Sequence, residues 1–372
     1  MPIAQPLPER LLLGPGPSNA HPSVLEAMSR PLVGHLDPEF IALLDRLKAG
    51  LRTLFGTSNA MTLPLSATGS AGMEAALVNL LEPGDSVVVG VNGVFGGRMA
   101  EVARRAGAEV TSVEATWGTI LDPSRMAEAI SRVQPRVVAF VHAETSTGVC
   151  QPVEPIARAA READAMVVLD CVTSLAGRAV ELDAWGIDVA YSGSQKCLSC
   201  PPGLSPVSFS ERAIERVRNR KTPVQSWFLD LSLLAGYYEG AKRVYHHTAP
   251  ISAIYGLAAG VDRVLEEGLE ARFERHRRAA ARLIEGLGPL GFDCLVDAAD
   301  RLPMLTSVRL PERVRTLGEA AVRARLLEEF GIEVGAGLGP LTGEIWRIGL
   351  MGENARPEPV DRLLEALHKI LG

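Results

Sequence analysis

The chain has 372 residues, 47% of them hydrophobic, with 38 basic against 44 acidic side chains and a formal net charge of −6. That length and apolar content predict large cores divided between two domains, and the lack of a basic cluster argues against a nucleic-acid partner. No apolar run reaches membrane-spanning length, and the start MPIAQPLPER carries no apolar signal core. The ending Lys369-Ile-Leu-Gly372 is not a peroxisomal address, and five cysteines suggest reduced thiols in a cytoplasmic protein.

Residues 1–17 read as an extended arm leading into Gly14-Pro-Gly-Pro-Ser-Asn19. With two prolines, that loop is no dinucleotide fingerprint, which needs backbone N–H groups opening a helix. Helical periodicity begins near Pro22 and recurs from Ile41 to Leu54. Next comes Ser66-Ala-Thr68-Gly69-Ser70-Ala-Gly72, running into an expected helix from Met73 to Leu81. Small hydroxyl and glycine residues before a strong helix form either an ordinary cap or an anion cradle. In the cradle, N–H groups and the Thr68 and Ser70 hydroxyls hold a phosphate at the positive dipole end. It is not a P-loop, since no Gly-Lys-[Ser/Thr] follows.

An alternating rhythm then predicts a mostly parallel sheet covered on both faces. Strands are expected at Ser86–Val91, Glu109–Val113, Val137–Val141 and Ala165–Leu169, with helices at Met99–Ala106, Met126–Val133 and Pro155–Ala163. Asn92 to Gly97 reads as a loop whose Phe95 either packs or stacks on a flat ring. His142 to Gly148 reads as a polar loop. Asp170 closes its strand at the carboxyl end, where open α/β sheets place ligands. It is either a helix cap or the acidic partner that pyridoxal phosphate (PLP) sites pair with a Schiff-base lysine.

The candidate lysine is Lys196, on the turn Ser192-Gly193-Ser194-Gln195, with Pro201 and Pro202 forbidding a helix beyond it. A lone turn lysine is usually solvated; held in an apolar neighbourhood, it becomes a nucleophilic amine. Cys197 and Cys200 form a C-x-x-C without a second pair to complete a zinc site, so packing is expected of them and no metal is implied. A strand follows at Ser205–Phe209. Adjacent His246 and His247 should point apart and chelate poorly. The large domain should span residues 18–265. Residues 266–372 should form a smaller α+β domain, with strands near Thr306–Leu310 and Ile345–Gly349 and helices at Arg272–Leu287, Glu319–Glu329 and Val360–Ile370. Arg347, inside an apolar strand, is either a snorkelling side chain or a bidentate clamp for a carboxylate.

The strings LLLGPGPSN, EAALVNLLEPGDS, TSTGV, YSGSQK, YHHT, GLGP.TG and RIGL together resemble fold-type I PLP enzymes. More narrowly, they resemble the class V alanine–glyoxylate/serine–pyruvate aminotransferases. The resemblance implies that Lys196 carries PLP and that Asp170 pairs with its ring nitrogen. Phe95, where many relatives have tryptophan, and Val172 then flank the ring, and Thr145 reaches the phenolic oxygen. Thr68, Gly69, Ser70 and Gln195 correspond to phosphate ligands, although some relatives have histidine at Ser70. Tyr245 and Thr248 match residues that reach the neighbouring subunit's cofactor, implying a homodimer, and Arg347 matches the arginine holding the substrate carboxylate. The implied activity is transfer of the amino group of alanine or serine to glyoxylate. A ureidoglycine–glyoxylate aminotransferase is the alternative, although that branch has glutamine at His35 and asparagine at Tyr245. A cysteine desulfurase would have histidine where Gln195 stands and a mobile cysteine loop where only Cys294 occurs. A non-catalytic nucleotide-binding protein would need G-x-G-x-x-G at Ser66–Gly72.

Overall fold

The structure, a computed structural model, describes residues 7–240 and 242–372. The chain begins with Leu11–Leu13 (β1), Pro22–Met28 (α1) and Pro38–Phe55 (α2), followed by Met61–Leu65 (β2), Gly69–Leu80 (α3), Ser86–Val91 (β3), Val94–Arg105 (α4) and Glu109–Glu114 (β4). Pro123–Val133 (α5), Val137–Val141 (β5), the hairpin Ala143–Glu144 (β6) and Val149–Cys150 (β7), Glu154–Glu162 (α6), Met166–Asp170 (β8), Leu182–Trp185 (α7), Val189–Tyr191 (β9) and Ser205–Phe209 (β10) come next. Helices Glu211–Arg218 (α8), Leu231–Tyr238 (α9), Ile251–Glu267 (α10) and Leu269–Leu287 (α11) lead to Asp293–Cys294 (β11) and Leu305–Arg309 (β12). The last elements are Glu312–Leu317 (α12), Glu319–Phe330 (α13), Ile332–Ala336 (β13), Ile345–Gly349 (β14) and Pro357–Leu371 (α14).

The large sheet has seven strands, ordered β2-β10-β9-β8-β5-β3-β4. Only β10 runs against its neighbours; β9, β8, β5, β3 and β4 pair in parallel. Strands β5 and β8 are buried at every residue, because helices cover both faces. The register aligns Val141 with Asp170 and Asp170 with Tyr191, so three strand ends meet at one carboxyl edge. The second sheet, β1-β13-β14-β12-β11, encloses a separate core that includes Leu13, Val308, Trp346, Leu363 and Leu367. The amino-terminal segment is thus more than an extended arm: Leu11 to Leu13 pair with Ile332 to Val334.

Two local expectations are corrected. Helix α3 starts at Gly69, four residues before Met73, and α4 starts at Val94, so Phe95 lies in a helical first turn. Glycine and serine are poor helix formers, but here the fold demands small residues. A Cβ on Gly72 would lie 2.2 Å from Ser205 Oγ, and one on Gly96 would lie 2.6 Å from Gly90 O. The polar residues His142 to Gly148 include the turn of the β6–β7 hairpin and are buried throughout.

Candidate active site

Strand β8 delivers Asp170, only 3% exposed, to the carboxyl edge of the sheet. Its Oδ1 accepts the Val172 N–H at 2.8 Å and its Oδ2 accepts the Tyr191 hydroxyl at 2.8 Å, the latter from the residue paired with it in register. Burial pushes the Asp170 carboxyl up to about 7, against the pull of these two donors and of Lys196. Two residues beyond β9 the chain turns, and Lys196 points inward, 7% exposed. Of the five lysines in the sequence, only Lys48 and Lys196 are buried. Burial lowers the Lys196 amine to about 8, while Asp170 holds it up. Its Nζ donates to Pro15 O, and Gly16 lies flush against the side chain: a Cβ there would stand 2.7 Å from Lys196 Cδ. Pro15 and Gly16 of the first loop therefore serve as a wall for this amine.

Thr68, Gly69, Ser70, Phe95, Asp170, Val172, Gln195 and Lys196 line one cavity of about 160 Å³, together with Met73, Arg98 and Tyr191. At the start of α3 the Ala71 and Gly72 N–H groups donate to Thr68 O, whereas those of Gly69 and Ser70 have no partner within the helix and Thr68 makes no side-chain cap, so donors and hydroxyls are left for an anion. Arg98 adds a cation there; its Nη1 donates to Ser70 Oγ at 3.2 Å, and its guanidinium lies 4.9 Å from the centre of the Phe95 ring.

Behind Phe95 sits Glu144, fully buried on β6. Its Oε2 accepts the Phe95 N–H at 3.1 Å, and its Oε1 accepts the Ser146 N–H and hydroxyl at 3.0 and 2.6 Å. This carboxylate caps α4 from outside, which Gly93 permits by having no Cβ; one there would lie 2.4 Å from Glu144 Cδ. Burial nevertheless raises the Glu144 carboxyl above its ordinary value. Thr145 is buried beside it, and its carbonyl accepts Arg347 Nη1 at 3.2 Å, while Arg347 Nε donates to Ala336 O at 2.7 Å. Arg347 is therefore not a snorkelling side chain but a fixed, 7% exposed cation whose charge also bears on Lys196.

Ten of the twelve predicted residues are thus gathered around the cavity or directly behind it. Tyr245 and Thr248 are not: both are exposed, and the Tyr245 ring lies against His35, with ring centres 5.3 Å apart. The histidines do not point apart as expected. His246 Nδ1 and His247 Nδ1 approach to 2.8 Å, because this segment is neither helix nor strand, and His247 Nε2 meets Ser66 Oγ at 2.7 Å. Tyr191, Arg98 and Glu144 were missed. Tyr191 could have been found from its place at a strand end beside Asp170, but the register that joins them is not written in the sequence.

The donor set suits PLP. A buried amine can hold an aldehyde, a buried carboxylate can pair with a ring nitrogen, and a helix start flanked by hydroxyls and an arginine can receive a phosphate. The family model for aminotransferase class-V matches residues 11–351. The chain is 41% identical to the alanine–glyoxylate aminotransferase of Oryctolagus cuniculus, over 98% of this chain and 93% of that protein. It is 40% identical to the (S)-ureidoglycine–glyoxylate transaminase of Bacillus subtilis, over 98% and 91%. The crystal structure of an alanine–glyoxylate aminotransferase from Nostoc sp. superposes with a TM-score of 0.97 at 46% identity, covering 100% of this chain and 98% of that one. With the fold, the buried lysine–aspartate pair and these likenesses in agreement, the chain belongs to the class V aminotransferases, PLP-dependent enzymes of fold type I.

Proposed function

We propose that this enzyme moves the amino group of alanine or serine to glyoxylate, giving glycine and the matching 2-oxo acid. The observation that carries the proposal is the shared cavity of Lys196 and Asp170, closed by the start of α3. The similarity to alanine–glyoxylate aminotransferases supports this choice of substrates. When bound, PLP supplies an electron-accepting ring that stabilises negative charge at the amino acid's Cα.

The residues then divide the work. Lys196 would hold the cofactor covalently, and its amine, lowered to about 8, would take the amino acid's Cα proton as a general base. Asp170, supported by Tyr191, would hold the proton on the ring nitrogen. Phe95 and Val172 would flank the ring, and Thr145 would serve its phenolic oxygen. Thr68, Gly69, Ser70 and Gln195 would bind the phosphate. Arg347 clamps the carboxylate shared by donor and acceptor, so both half-reactions use one site in turn, with ping-pong kinetics.

The working unit is a homodimer in which Tyr245 and Thr248 reach the partner's phosphate site. Their exposure, and that of neighbouring Trp227 and Val244, supports this reading. A cytoplasmic location is proposed with it; among the described residues, no helix is long and apolar enough to cross a membrane. The similarity to the B. subtilis transaminase supports ureidoglycine as the alternative donor. Rapid mixing of the loaded enzyme with each donor separately discriminates them. Alanine and serine should convert the bound cofactor faster than ureidoglycine at equal concentration, and glyoxylate should restore the starting spectrum. Conversion by ureidoglycine alone would overturn the alanine or serine assignment.

A further inference from the structure

Arg272 stands in the first turn of α11, in the part of the chain that follows the large sheet, yet its side chain reaches back to the Lys196 turn. It is 1% exposed, and each guanidinium nitrogen is engaged. Nε donates to Ala176 O at 2.9 Å, Nη1 to Glu267 Oε2 at 2.6 Å, and Nη2 to Cys197 O at 2.5 Å. Taking a cation out of water is expensive, and an apolar side chain would anchor a helix at least as well. The arginine's distinctive contact is therefore the carbonyl directly after the lysine.

That turn needs outside support. It is neither helix nor strand, and Ser199 lies at φ +51°, a conformation that non-glycine residues rarely adopt. Its other anchors are neutral. Ser18 Oγ donates to Lys196 O at 2.8 Å, the Ser18 N–H to Gln195 O at 2.9 Å, and the Glu353 N–H to Ser199 Oγ at 2.9 Å. Among the described residues Arg272 supplies the one charged donor to this turn, and its planar fork reaches two carbonyls and a carboxylate at once. Glu267 balances the charge and is gripped in turn by Arg275, at 2.6 and 2.9 Å.

We propose that Arg272 is a positioning residue for Lys196: by fixing the Cys197 carbonyl it sets the direction from which the amine enters the cavity. The proposal rests on the reading of Lys196 as the cofactor lysine. Arg272→Lys keeps the charge but not the fork, and Arg272→Ala removes both. In each variant kcat should fall about 10- to 100-fold, the range for a reacting group misplaced by about 1 Å, while KM for alanine stays within about twofold. Added guanidinium ion should restore part of the Arg272→Ala rate. Amide exchange in the cofactor-free Arg272→Lys chain should quicken over residues 194–200, and the pH midpoint of the bound cofactor's visible band should move. Should Arg272→Ala not fold, the Arg272→Lys measurements decide alone. A lower melting temperature with unchanged kcat, exchange and band midpoint would overturn the proposal and leave Arg272 a tether of α11. If borohydride instead attached the cofactor to a lysine other than Lys196, the assignment of Lys196 itself would fail, a result separable from the behaviour of the Arg272 variants.

Discussion

Lys196 and Asp170 hold each other's charge in a place where neither would otherwise keep it. The neutral amine is the nucleophile, and burial brings its titration from 10.5 to about 8. Cofactor loading of the bare protein should therefore accelerate as pH rises through about 8 and level off above it. Asp170 opposes the lowering by favouring the charged amine, so in Asp170→Asn the midpoint should move down. Stopped-flow absorbance against pH measures both; a wild-type midpoint near that of an exposed lysine would contradict the burial. Arg347→Ala should raise KM for alanine, serine and glyoxylate together, at a cost of about 2–4 kcal/mol of transition-state binding, with the cofactor spectrum unchanged. Arg347→Lys should recover little, because Arg347 already spends Nε and Nη1 on Ala336 and Thr145 carbonyls and a single ammonium cannot match that fork. Unchanged KM values in both variants would make Arg347 structural.

At the scale of elements, the site is the starts of α3 and α4 and the ends of β8 and β9 brought to one edge, and glycine sets how closely they approach. Gly72→Ala would drive α3 away from β10, since its new methyl would meet Ser205 Oγ at 2.2 Å and Tyr191 Cβ at 3.1 Å. A loss of about 1–3 kcal/mol is expected, with weaker cofactor retention because the phosphate end moves with the helix. Adding Ser205→Ala should relieve part of it, so a double-mutant cycle by denaturant unfolding should show coupling; strict additivity would refute the contact. These ends were also the least legible parts of the sequence. Asp170 and Lys196 could be read because a continuous apolar strand and a proline-bounded turn advertise them. Gly69 to Gly72 resembled a loop by propensity, and tertiary packing made it helix. Thr145, Ser146 and Thr147 read only as part of a polar loop; the partner that allows burial of Ser146, Glu144, declares itself only when β6 folds against Gly93.

Across the whole molecule, two sheets with separate cores share one site, with Arg347 on β14 reaching the hairpin beside β5. The alternation of strands and helices made the large sheet legible, whereas β1 and β13 were not, since three leucines at the start carry no sign of their partner near residue 332. If Tyr245 and Thr248 serve the partner's site, Lys196→Ala chains co-expressed with Tyr245→Ala/Thr248→Ala chains should regain about a quarter of wild-type activity: about half the dimers are mixed, each with one intact site. Activity no greater than the sum of the parents, with mixed dimers present, would remove those two residues from the site. All of these assignments depend on one covalent bond, and borohydride reduction of the loaded enzyme followed by peptide mapping locates it. The cofactor should be fixed to the peptide containing Lys196 and absent from Lys196→Ala; fixation to Lys48, Lys221, Lys242 or Lys369 would contradict the site described here.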